Sequence, residues 1–83
     1  MNKIKKEGLF MLPFNLVELL AAFPRDTNIL IIDIAIGNIF DGKIDILYDD
    51  SELTKIDPDA FKLTGLDVIH NKLVIKGFHD KDA

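Results

Sequence analysis

The sequence predicts an α+β fold: one N-terminal amphipathic helix packed on a mainly antiparallel four-stranded sheet built from two hairpins, with a short connecting helix. Leu16, Leu19, Leu20 and Phe23 recur at helical spacing. Residues 28–40 hold six isoleucines, a β-branched run suited to a strand. Two turn-like dipeptides, Asp41-Gly42 and His70-Asn71, sit between apolar runs. The 83 residues make a single small domain (1–83), with 1–7 and 79–83 expected to be flexible.

The helix is expected over 14–23. Pro13 is tolerated at its first turn, and Pro24 ends it by pushing the preceding residue out of helical geometry. Asn15, Glu18 and Ala22 mark a solvent face without Lys or Arg, so packing on a sheet is favoured over a membrane surface. Before the helix, Lys3, Lys5 and Lys6 precede the run Gly8-Leu9-Phe10-Met11-Leu12, as at the start of a secretory signal. Pro13, Asn15 and Glu18 interrupt that run, which argues against the signal. The chain also lacks the roughly 20 unbroken apolar residues of a membrane span.

The first hairpin is expected to turn at Phe40-Asp41-Gly42, with Gly42 left-handed and 43–48 as the return strand. That register gathers Ile32, Ile34, Ile36, Ile44, Ile46 and Tyr48 on one face. A turn at Gly37-Asn38 ranks second. Asp57 as N-cap, Pro58 as first residue and Gly65 as stop suggest a short helix over 58–64. Leu66–Ile69 and Lys72–Lys76 then pair around His70-Asn71, with Leu66, Val68, Leu73 and Ile75 on one face. The tail over 78–83 is expected to be loose, though Phe78 offers an anchor.

Chemistry is harder to read. Apolar residues make up 48% of the chain, which excludes disorder, and the absence of Cys removes disulfides, thiolate zinc sites and thiol nucleophiles. The net charge of −4 argues against direct nucleic-acid binding, and three N-terminal lysines alone make a weak phosphate site. The single serine, Ser51, has no glycine elbow, and His70 and His79 have no spaced second ligand. From Asp41 to Glu52 the spacing matches an EF-hand loop, but Lys43 fills a ligand position and Ile46 stands where Gly is required. No catalytic residue, cofactor or metal is therefore expected. Asp33, Asp49 and Asp50 are weak metal candidates, because the expected registers set Asp33 opposite Asp49 or Asp50, and opposed carboxylates need relief.

Eleven Asp against three Glu fits a turn-rich protein. The cluster Asp49, Asp50, Glu52, Asp57 and Asp59 is the candidate surface for a basic protein partner. The composition suits a bacterial or phage chain acting in the cytoplasm as a small acidic binding module: an inhibitor, an antitoxin or immunity-like protein, or a phage accessory factor. The alternative is a self-assembling subunit that meets a second copy of itself. A third reading is a small carboxylate-based enzyme or metal-dependent module centred on Asp33 and Asp49.

Overall fold

The computed structural model describes residues 11–49 and 52–80. Expectations for 1–7, for the N-terminal lysines, and for Asp50, Ser51 and 81–83 lie outside the described residues. The fold is α+β, with an N-terminal helix, a short helical segment and a mixed four-stranded sheet from two hairpins. In chain order the elements are α1 (Leu16–Ala21), β1 (Asn28–Asp33), β2 (Gly37–Lys43), α2 (Ile44–Asp49), α3 (Glu52–Ile56), β3 (Phe61–Ile69) and β4 (Lys72–His79). The strands lie in the order β2-β1-β4-β3. Each hairpin is antiparallel, and β1 and β4 join them in parallel.

Helix α1 starts where its capping chemistry dictates. Asn15 Oδ1 accepts the Glu18 N–H at 2.8 Å, while Glu18 Oε1 accepts the Asn15 N–H at 2.9 Å. This reciprocal pair satisfies two donors that a helix start otherwise leaves unpaired. The expected stripe is buried at Leu16, Leu19 and Leu20 but not at Phe23, which follows the helix end and is exposed.

The first hairpin turns elsewhere than expected. Its loop is Ile34-Ala35-Ile36, and Gly37 takes the positive φ of 104°. Gly42 lies inside β2 opposite Ile29, without a positive φ. Residues 44–49 are helical because Ile44, Leu47 and Tyr48, at i, i+3 and i+4, reach the core from one helix face. The expected face is therefore corrected as well: Ile29 and Ile31 point inward, and Ile34, Ile36 and Ile46 are exposed.

The helix expected over 58–64 is also absent from its place. Asp57, at φ 59°, follows α3 instead of opening a helix, and Phe61 begins β3. Gly65 sits in β3 beside a shift in register with β4, not at a helix stop. The second hairpin turns where expected, with His70 and Asn71 at φ 53° and 64°, a pair of left-handed residues that suits the strand twist. Both strands run further than expected, and Phe78 and His79 belong to β4.

Side chains from α1, α2 and α3 meet Ile29, Ile31, Phe61, Leu63, Leu73 and Ile75 in one core. Leu66 and Val68 lie opposite Ile75 and Leu73, as expected, yet both are exposed on the outer strand β3 while their partners on the inner strand β4 are buried.

Candidate functional site

Along β1 the inward positions read Ile29, Ile31 and then Asp33, whose residue is only 3% exposed. Burying a carboxylate is expensive unless partners replace its water. Asp33 has them. Its Oδ1 accepts the Ala35 N–H at 2.8 Å, and its backbone carbonyl accepts the Ile36 N–H at 3.2 Å, which together fold the apolar 34–36 loop. The second oxygen, Oδ2, meets His79 Nδ1 at 2.6 Å. Burial pushes the Asp33 carboxyl up, but the Ala35 N–H, the His79 ring and the Ile36 N–H outweigh it and hold the group below the ordinary Asp value.

His79 reaches this position because β4 continues the inward alternation Leu73, Ile75, Gly77, His79 beside β1. Its Nε2 lies 2.5 Å from the Ile56 carbonyl oxygen at the end of α3. A carbonyl only accepts, and an ionised carboxylate only accepts. Only an imidazolium can donate from both ring nitrogens to these two acceptors at once. The Phe61 ring packs against it, centroid to centroid 4.9 Å. Chemically this arrangement is a closed one: Nε2, the atom that would serve a nucleophile in a catalytic dyad, is committed to a backbone carbonyl.

The opposed carboxylates expected from the sequence are corrected accordingly. Asp33 stands opposite Gly37 on β2 and Gly77 on β4, while Asp49 ends helix α2 on the exposed surface. No group of three His, Cys, Asp or Glu placed to hold a metal occurs among the described residues. Asp50 lies outside them.

The second feature is a cleft of about 510 Å³ between the 11–15 segment, the start of α1, the 57–60 turn and the first residues of β3. Leu12, Phe14, Phe61 and Leu63 give it apolar walls, and Glu18, Asp59 and Asp80 place carboxylates along it with Lys62. The segment is fixed to the sheet by the Leu12 N–H, which donates to the Leu63 carbonyl at 2.9 Å. Asp80 is positioned by its own N–H on the Ala60 carbonyl at 2.8 Å.

Of the five expected partner-binding residues, only Asp59 lines this cleft. Glu52 is paired with Lys55 at 3.5 Å, Asp49 and Asp57 are exposed, and Asp50 is outside the described residues. Glu18, Asp80 and His79 were not singled out from the sequence as site residues. One signal was there for His79: it extends an apolar every-second-residue pattern, as Asp33 does on β1. No family model, curated protein or solved structure matches the chain.

Proposed function

We propose that this chain is a small acidic protein-binding module whose cleft takes a basic, partly apolar segment of another protein. The observation that supports the reading is the combination of apolar walls with the carboxylates of Glu18 and Asp59 in one concavity. An arginine or lysine side chain fits that chemistry, with its aliphatic stem on the half-buried Leu12 and Phe14 and its cationic head beside the Glu18 and Asp59 carboxylates. Glu18 Oε1 is used in the capping box, which holds the carboxylate in a fixed direction. An overall charge of −4 speeds the encounter with a basic partner at low salt. Inhibitor and antitoxin-like roles are the forms of this activity that the acidic surface suits.

The test is an NMR titration with a short arginine-containing peptide, set against the same peptide with citrulline in place of arginine. Shifts gathered at Leu12, Phe14, Glu18 and Asp59, weakened about tenfold by the Glu18→Gln, Asp59→Asn pair and by citrulline, are the expected result. Shifts scattered over the surface, or equal for both peptides, overturn the reading. Self-assembly is a second reading, favoured by the exposed Leu66, Val68 and Ile69 on β3, an edge strand among the described residues.

A further inference from the structure

We propose that His79 is a proton-dependent latch that ties α3 and the turn after it to the sheet, so that loss of one proton loosens this segment while the sheet stays folded. The argument does not depend on what occupies the cleft. The latch is a single ring that bridges three elements: its own strand β4, Asp33 at the end of β1, and the Ile56 carbonyl at the end of α3.

The donor count makes the latch sensitive to protons. As an imidazolium the ring donates at both nitrogens. A neutral ring keeps one N–H. With the hydrogen on Nε2, the Nδ1 lone pair faces the Asp33 carboxylate; with the hydrogen on Nδ1, the Nε2 lone pair faces the Ile56 carbonyl. Either tautomer turns one short hydrogen bond into a repulsion. The carboxylate is the stronger acceptor, so the neutral ring keeps its hydrogen on Nδ1 and the contact to α3 is the one given up.

From β3 the ring meets the apolar ring of Phe61, tilted by 56° to it. On α3, Glu52 and Lys55 pair with each other. The turn that follows carries Asp57 and Asp59, both exposed, and Asp80 comes next to His79 in the chain. Helix α3 has only five residues, so its own hydrogen bonds hold it weakly, leaving buried Ile56, half-buried Leu53 and the latch to keep it in place.

The experiment reads two quantities on the intact protein from about pH 5 to about pH 9: the ring ¹⁵N shifts of His79, and hydrogen-exchange protection factors corrected for intrinsic rates. The expected result is a protection loss of about tenfold at residues 53–57. That loss should run in step with deprotonation of the ring, with Ile31 and Ile75 unchanged. In His79→Gln, whose amide does not titrate, the protection of 53–57 should be flat over the same range. A ring that deprotonates with no loss at 53–57, a loss shared equally by the sheet, or a ring that is neutral throughout overturns the proposal. These readings on the wild-type chain decide the matter even where the Gln variant fails to fold.

Discussion

The ring of Phe61 lies on the backbone of Gly77, so close that a methyl group on Gly77 would stand 2.9 Å from two of its carbons. The same methyl would collide with the Lys62 carbonyl. A glycine inside a strand normally weakens it, and here an aromatic residue from the neighbouring strand fills the missing side chain's place. This packing holds Phe61 where it also meets His79. Gly77→Ala should therefore destabilise the fold by about 2 kcal/mol or more, measured in a urea melt. A change within about 0.5 kcal/mol would show that Phe61 and β3 yield without cost.

Acid should loosen the fold through Asp33. Its folded carboxyl is held below the unfolded value, so between the two the native state binds fewer protons and stability rises with pH. The contribution is complete above the ordinary Asp value of about 3.9 and is lost as the pH falls through the lower folded value. Asp33→Asn removes this titration and leaves His79 without its anion, at a loss of about 3 kcal/mol near neutral pH. Urea midpoints across an acid pH series check both statements. Wild-type and variant curves that run parallel in acid would mean that Asp33 does not govern the dependence.

The α1 stripe divides into a buried part and an exposed end. Leu20 is 1% exposed and Phe23 is 37% exposed. Truncating Leu20 to Ala should cost about 2–5 kcal/mol, and truncating Phe23 to Ala less than about 1 kcal/mol. Equal losses in chemical melts would place Phe23 in the core.

Glycine substitutions separate the two turns considered for the first hairpin. Gly37 has φ 104° with open space around it, so its requirement is conformational. Gly42 lacks a positive φ, and an added methyl there would meet the tip of the Phe40 ring at 3.3 Å, a side chain able to move. Gly37→Ala should cost about 1 kcal/mol or more, and Gly42→Ala less. The reverse order in thermal melts would restore the Asp41-Gly42 turn.

How far the sequence reveals this structure depends on whether the deciding interactions are local. The His70-Asn71 hairpin is legible because both turn residues readily adopt the left-handed conformation the turn needs. The Ile34-Ala35-Ile36 turn is not, since its residues carry no turn signal. It is held by Asp33 and by the Ile34 N–H on the Gly77 carbonyl at 2.8 Å, a contact between distant parts of the chain. Ile44, Ile46 and Tyr48 alternate like a strand, while Ile44, Leu47 and Tyr48 also fit a helix, and the core selects the second pattern. For the site, Asp33 stood out as a carboxylate needing relief, but its partner lies 46 residues away. The cleft is less legible still, because Glu18, Asp59 and Asp80 meet only once the 11–15 segment and the start of β3 are side by side.

The last prediction concerns the edge at β3. Its hairpin end exposes Val68 at 69%, together with Leu66 and Ile69, a surface on which a second strand could add. Adding a strand needs unpaired backbone donors, and the Val68 N–H already donates to Asp67 Oδ1 at 2.8 Å. Asp67 thus both charges the edge and occupies one of its donors, a device that keeps sheet edges apart. Asp67→Ala should expose that donor beside three apolar side chains and promote concentration-dependent association. Sedimentation velocity across a concentration series of wild-type and variant protein measures it. If Asp67 guards the edge, the wild type sediments as the smaller species and the variant shifts to dimers or larger. A wild type already assembled, with no change in the variant, would show that copies meet elsewhere and that Asp67 has no guarding role. A wild-type assembly that tightens in the variant would instead place the contact at β3, with Asp67 limiting its strength.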